Sequence, residues 1–286
     1  MFKKNKIDYS ILGFVFIFFL ISVVTINSAL TYLPSDVGNL ALKQVIWYGV
    51  GLLLVFIIFK VKNEYLYRNA WFFYILCNLL LLCLLLFAPA INNSKCWFII
   101  PKIGSFQPSE FTKISLMLVL GTMINNFRLD YEEPSIKEEF IFLIKTFIVV
   151  LIPSILTFLE PDTGAILFLA IITIVSLFFS NIRKRWLIIL SILILAIGGI
   201  FTYFYLFKKE VLLALLGSSI FYRIDRLLSI GNGMQIENAL IAIGSAPFFR
   251  FNLTEVGIYI PEAPTDFAFS LCTNVFGISG ELIIIL

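Results

Sequence analysis

Between Ser10 and Ser35 the chain carries no charged side chain. A helix that crosses a bilayer needs roughly 17–25 mostly apolar residues, so a run of this length already fixes the solvent as lipid. Six more complete apolar runs follow the first, which spans 10–32. They are 44–60, 69–90, 110–127, 140–159, 163–182 and 186–207. An eighth opens near Phe267 and reaches Leu286. The chain is 60% hydrophobic and 14% charged, with a mean hydropathy of +1.00. Soluble domains are about a quarter charged. The expected fold class is an all-α polytopic membrane protein with about eight transmembrane helices.

Composition also excludes chemistry. A net charge of +3 leaves no footprint for nucleic acid. Histidine is absent, so there is no imidazole base and no His metal ligand. Cys77, Cys83, Cys96 and Cys272 show no CxxC spacing, and neither a metal site nor a disulfide framework is expected. The MFKKNK start followed by a long apolar run reads as an uncleaved first span rather than a signal peptide. There is no tandem repeat, low-complexity tract or soluble domain, so residues 1–286 form one transmembrane domain.

Basic residues in short loops set orientation. With the N-terminus in the cytoplasm, the inner segments gather Lys3, Lys4, Lys6, Lys60, Lys62, Arg68, Arg128, Lys137, Lys145, Arg183, Lys184 and Arg185. The short outer loops hold only Lys43, Lys95 and Lys102. Residues 208–266 then form a large extracellular loop. Its stretch 211–222 is apolar but too short to span, which predicts a helix at the outer interface. The final LIIIL has no polar anchor behind it, and the chain is expected to be C-terminally incomplete.

Charges at the edges of spans are costly and mark candidate sites. In WFIIPKIGSFQPSEFTK, Pro108 and Ser109 open a helix whose first turn holds Glu110. Glu110 and Lys113 share a face and pair, either to neutralise two buried charges or to line a cavity for an anionic head group. In Glu160-Pro161-Asp162-Thr163-Gly164, Asp162 either caps the following helix or belongs to a substrate or cation site. Arg223 and Arg226, in YRIDR, suit lipid phosphates or a substrate diphosphate. Glu262 and Asp266 lie in PEAPTDF, where Asp266 is placed to cap the next span. The residues alone describe a polytopic membrane protein with an acidic outer face and do not name a reaction.

Four segments do name a family. NSKCWFIIPKIGSFQPSEFTK resembles the segment ending in the QPSE-x-x-K signature of the shape, elongation, division and sporulation (SEDS) family, whose members are RodA-, FtsW- and SpoVE-like. LEPDTG is similar to that family's QPD-x-G turn. YRIDRLLS with QIENALIAIGSA resembles its large outer loop. YIPEAPTDFAF followed by FGISG is similar to its PE-x-x-TDF-x-F and G-x-x-G signature. The motifs keep the family order across nearly the whole chain. There are departures. Cys96 stands where an arginine is usual, Glu160 where glutamine is usual, and Ala246-Pro247-Phe248-Phe249 replaces a Gly-rich stretch. Val275 replaces an acidic residue, and Glu281 replaces a small one.

The resemblance implies a ten-helix architecture, with two spans absent here, and a large outer loop before the eighth. It implies a peptidoglycan glycosyltransferase that polymerises lipid II, an undecaprenyl-diphosphate-linked precursor, beside a class B penicillin-binding protein. Asp266 matches the catalytic aspartate. Trp97, Glu110, Lys113, Asp162, Arg223, Arg226 and Glu262 are the implied substrate-binding residues. No tightly bound cofactor is implied, and a divalent cation (Mg or Mn) is a candidate for the diphosphate charge. The family has also been read as a lipid II flippase or as a non-catalytic scaffold for the cross-linking enzyme. Acidic residues clustered toward the outer side favour polymerisation, since transport needs polar groups through the whole bilayer depth.

Overall fold

The computed structural model describes residues 8–29, 39–61, 63–89, 95–100, 104–228, 234–251, 258–260 and 262–286. Lys3, Lys4, Lys6, Lys62, Lys102, Pro261 and the side chain of Arg226 lie outside the described residues. The helices are α1 (Tyr9–Ala29), α2 (Leu40–Val61), α3 (Asn63–Arg68), α4 (Ala70–Phe87), α5 (Pro108–Asp130), α6 (Ile136–Leu159), α7 (Thr163–Phe178) and α8 (Lys184–Phe207). Then come α9 (Lys209–Leu228), α10 (Met234–Gly244), α11 (Ala268–Phe276) and α12 (Ile278–Ile285). Two strands, β1 (Phe98–Ile100) and β2 (Gly104–Phe106), pair antiparallel with Phe98 opposite Phe106.

Every apolar run of the sequence is helical. α1, α2, α4, α6 and α8 are long and apolar enough to cross a membrane. α5 is as long but polar at both ends, and α7 is short at 16 residues. α8 buries none of its residues and α2 buries only Ala41. In water such surfaces would drive aggregation. In lipid they cost nothing, because a leucine side chain is as apolar as an acyl chain.

The chain forms two compact units, residues 61–223 and residues 1–60 with 224–286. In the first, α4, α5, α6 and α7 pack around Ala70, Tyr74, Leu116, Val119, Leu120, Val149 and Leu169. At one end of this bundle Phe127 stacks on Phe142, and Trp186 of α8 joins the same cluster. Glu139, fully buried, clamps this end. It accepts from the Arg183 backbone N–H at 3.0 Å and from Trp186 Nε1 at 2.8 Å, and it is ion-paired with Arg183 and Arg185. A buried carboxylate is tolerated only with such compensation. In the second unit α11 packs on α1 and α10 through Ala29, Ala239, Ala242, Ile260, Ala263 and Leu271.

Three helix breakers meet three different outcomes. Gly217, at φ 75°, splits α9 within the stretch expected at the outer interface. Gly277, at φ 70°, separates α11 from α12. The backbone groups freed there pair with the outer loop: Ile278 N–H donates to the Pro247 carbonyl at 3.1 Å and Ser279 N–H to that of Phe248 at 2.9 Å. The Arg250 N–H donates back to the Phe276 carbonyl at 3.3 Å. A Cβ on Gly277 would stand 2.4 Å from the Pro247 oxygen, so this approach requires glycine.

Pro153, in contrast, leaves α6 unbroken over 24 residues. Proline has no N–H, so the carbonyl four residues earlier, that of Val149, loses its helical donor. The Tyr74 hydroxyl of α4 donates to that carbonyl at 2.8 Å. Tyr74 is itself buried, so without its hydroxyl an acceptor would be left unpaired in the interior. Tyr74→Phe is expected to destabilise the protein by about 1–3 kcal/mol. Pro153→Ala restores the helical donor, so Tyr74→Phe made in that background is expected to cost much less. Thermal unfolding of the four proteins in detergent measures the coupling, and additive effects would remove the link.

Candidate functional site

The candidate residues fall into two sets, one in each unit. In the first unit, three motifs distant in sequence meet. The turn between α6 and α7 is Glu160-Pro161-Asp162. Asp162 caps α7, its Oδ1 accepting from the Ala165 N–H at 3.0 Å. Its Oδ2 accepts from Gln107 Nε2 at 2.7 Å and from Ser109 Oγ at 3.1 Å. The QPS segment that opens α5 is thus fastened to the EPD turn by a single carboxylate. The cap was legible from the sequence, but the two side-chain donors were not. With three donors in place, Asp162 works here as a clasp between the start of α5 and the start of α7.

The same turn is tied to the strand pair. The Cys96 thiol donates to the Glu160 carbonyl at 3.1 Å, which fixes the residue before Trp97. Trp97 itself is exposed and stands at the entry to β1. Lys113 binds Glu110 Oε1 at 2.8 Å and lies 4.6 Å from the centre of the Phe168 ring. The pairing follows the helical spacing. The expectation of two buried charges needs correction, however, because Glu110 is 55% exposed while Lys113 is 19% exposed. The pair presents a carboxylate outward over a cation held against an aromatic face. Arg223 is half-buried near the end of α9.

In the second unit, residues 262–267 (EAPTDF) form a tight turn built on one carbonyl. The oxygen of Glu262 accepts from the backbone N–H groups of Thr265 and Asp266 at 3.1 and 3.0 Å, and from Thr265 Oγ1 at 3.1 Å. Glu262 takes φ 56°, a left-handed conformation uncommon for a residue with a side chain. Ala263 and Ile260 root the turn in the buried cluster with Ala29 and Leu271. Asp266 emerges from this support exposed. It is not the cap of α11: the capping position is Phe267, and no side chain caps that helix. Of the two readings open to this carboxylate, cap or site residue, the cap is not formed, and among the described residues the side chain makes no hydrogen bond.

Glu160 is the residue the sequence did not single out by itself. It is fully buried, and neither carboxylate oxygen has a hydrogen-bond partner among the described residues. Burial, with the nearby Asp162 charge adding to it, pushes the carboxyl from 4.5 up to about 8. The acid is therefore mostly protonated at neutral pH, a neutral polar group where the family motif has glutamine. Between pH 4.5 and 8 the folded chain retains a proton that the unfolded chain releases, so stability falls as pH rises through that window. Glu160→Gln is expected to abolish this slope. Its unfolding temperature should match the parent near the lower limit and exceed it at the upper one, as read from thermal melts at a series of pH values.

Comparisons with known proteins identify the family. Residues 8–286 match the family model described as "Cell cycle protein", that of FtsW, RodA and SpoVE. The "Probable peptidoglycan glycosyltransferase FtsW" of Hydrogenovibrio crunogenus is 26% identical over 97% of this chain and 70% of its own length. That of Buchnera aphidicola subsp. Schizaphis graminum is 29% identical over 85% and 66%. The "Peptidoglycan glycosyltransferase MrdB" of Helicobacter pylori is 26% identical over 99% and 70%. The chain spans about two thirds of the length of these relatives. Among solved structures, one described as "Structural coordination of polymerization and crosslinking by a peptidoglycan synthase complex" superposes with a TM-score of 0.67 at 21% identity, over 97% of this chain and 74% of that one. The rod shape determining protein RodA of Thermus thermophilus gives 0.52 at 24% identity, over 66% and 58%. The fold is that of an all-α, multi-pass membrane protein, and the chain belongs to the FtsW/RodA/SpoVE family of cell cycle proteins.

Proposed function

We propose that the chain is a peptidoglycan glycosyltransferase that polymerises lipid II into glycan strands at the outer face of the bacterial plasma membrane. The observation that carries this reading is the Asp266 carboxylate, exposed and engaged in no cap, on a turn rooted in the protein core. The relatives' names support it. A class B penicillin-binding protein is the partner that would cross-link the product, and the likeness in fold to a peptidoglycan synthase complex supports that partnership.

The chemistry needs one base and stabilisation of one leaving group. A sugar 4-hydroxyl attacks the anomeric carbon of a second lipid-linked sugar, and its proton passes to Asp266. The bond from that carbon to the diphosphate breaks as the new glycosidic bond forms. Attack opposite the leaving group inverts the centre, so an α-linked donor gives a β-linked strand. The diphosphate departs as an anion and needs no proton, but its charge must be stabilised. Lys113, Arg223 and Arg226 are the cations assigned to this task. Trp97 offers an aromatic face to the substrate, and Glu110, Asp162 and Glu262 shape the motifs that bind it. Among the described residues no group of three or more carboxylate or cysteine side chains comes together. A divalent cation (Mg or Mn) would be shared between one or two carboxylates and the diphosphate itself, and would add to the charge that stabilises the leaving group.

Asp266→Asn keeps size and removes the base. The variant is expected to fold like the parent, because among the described residues the side chain makes no hydrogen bond to lose, and to polymerise lipid II about 10²–10⁴-fold more slowly. Glycan formation in detergent is the assay, since without a second leaflet it reads polymerisation and not transport. A folded variant running at the parent rate would end the catalytic assignment.

The basic-residue asymmetry places the N-terminus in the cytoplasm and residues 208–266 outside. A single cysteine at position 252, with the four native cysteines replaced, is expected to react with an impermeant maleimide in intact cells. Reaction only after permeabilisation would reverse the topology.

A further inference from the structure

Away from the motifs, a groove of about 470 Å³ opens between α4, α5 and α6, at the end of the bundle where α5 finishes and α6 begins. Its apolar wall includes Trp71, Ile148 and Val149, and its polar lining includes Asp130, Glu138 and Lys145. None of these residues belongs to the proposed polymerase chemistry. By the basic-residue asymmetry this end faces the cytoplasm.

Lys145 is the anomaly. It lies on a membrane-crossing helix, about 13 Å along the axis from Ile136 at 1.5 Å per residue. Among the described residues it has no ion pair and no hydrogen bond, and neither does the Asp130 side chain. An ionised side chain at this depth is costly without a partner and snorkels toward the interface. Glu138 lies two turns nearer the helix end, on the same face. One of its oxygens accepts from the Ser135 N–H in the capping box that starts α6, which leaves the other open.

From the bilayer interior outward, the groove therefore offers an apolar wall, then a cation, then two carboxylates. A phospholipid with an ethanolamine head group has the complementary order: acyl chains, then a phosphate anion, then a primary ammonium. A glycerol head group has the anion and neutral hydroxyl donors, but no positive charge to pair with Asp130 and Glu138. A choline head group has the cation but no N–H to donate to them. We propose that this groove is a binding site for an aminophospholipid of the inner leaflet, with its phosphate on Lys145 and its ammonium on Asp130 and Glu138. The lipid supplies the counter-charges that the protein omits and fills the wedge where α4, α5 and α6 diverge.

Trp71 in the groove wall provides the readout. The protein is reconstituted in phosphatidylcholine vesicles carrying equal small fractions of acyl-brominated phosphatidylethanolamine, phosphatidylglycerol or phosphatidylcholine. The Trp71 share of the quenching is the difference between the parent and Trp71→Phe. The brominated ethanolamine lipid is expected to occupy the site about fivefold more than either of the others, the ratio that about 1 kcal/mol from pairing its ammonium with Asp130 and Glu138 gives. Lys145→Gln combined with Asp130→Asn should bring the three lipids to equal quenching. Equal quenching in the parent would overturn the proposal, leaving ordinary boundary lipid. A preference for phosphatidylglycerol would overturn it in favour of a simple anion site at Lys145. Trp71 shielded from all three lipids would overturn it in favour of a protein occupant. A preference that survives in the double variant would show that it arises elsewhere. The three-lipid comparison on the parent decides the matter even where the double variant does not fold.

Discussion

A backbone immersed in hydrocarbon finds no water, so each N–H and C=O must be paired inside the protein. Much of this structure follows from meeting that demand at the places where the helices are interrupted. Pro153 takes a donor from the Val149 carbonyl, and the Tyr74 hydroxyl supplies one from a neighbouring helix. Gly277 breaks the last span, and residues 247–250 of the outer loop pair with the freed groups. The turn at Glu160-Pro161-Asp162 exposes the first amides of α7, and the Asp162 side chain takes one of them. In the first two cases the repair comes from a different element and joins two parts of the chain; in the third the capping carboxylate also gathers Gln107 and Ser109 from the start of α5. The interruptions are therefore also the points where the fold is fastened.

The same reasoning separates two aspartates that look alike in sequence. Each precedes a membrane helix, and each was a plausible cap. Asp162 accepts from three donors on two segments. A carboxylate so engaged is a poor base, since taking a proton would weaken bonds that hold α5 to α7. Asp266 sits one residue before the capping position, on a turn whose rigidity comes from the Glu262 carbonyl instead of from its own side chain. Its carboxylate is free to accept a proton without loosening anything. The difference in role comes from where each turn finds its hydrogen bonds.

The helices were legible because lipid imposes one simple rule, an uncharged run of sufficient length, and each run proved helical. Short-range pairs were legible for a related reason. Glu110 with Lys113 and Asp162 with the start of α7 depend only on helical spacing, which a sequence displays. What escaped were bonds set by packing. Tyr74 reaches across to Val149, and Gln107 and Ser109 reach Asp162 over more than fifty residues of chain. The β1–β2 hairpin escaped as well, because three-residue strands leave no alternation to read beside a long apolar helix. Asp266 was placed correctly in the chain, yet its side chain was expected to cap a helix, because capping preference is local and the shift of the helix start to Phe267 is not.

Four acidic side chains buried or half-buried in the protein show how the environment decides what a carboxylate becomes. Glu139 meets two arginines and an indole N–H, contacts that hold α6 to the start of α8. Glu281, in α12, accepts from the Thr273 hydroxyl. Asp162, half-buried, meets an amide, a hydroxyl and a backbone N–H, enough to keep it an acceptor. Glu160 meets no donor, and burial beside Asp162 leaves protonation as its cheapest state. Glu160 and Asp162 occupy one turn and influence each other. A second negative charge at Glu160 would compete for the donors that Asp162 gathers from the QPS segment. The neutral acid beside the charged clasp is thus a condition for the clasp, and a glutamine at the first position would meet that condition at any pH.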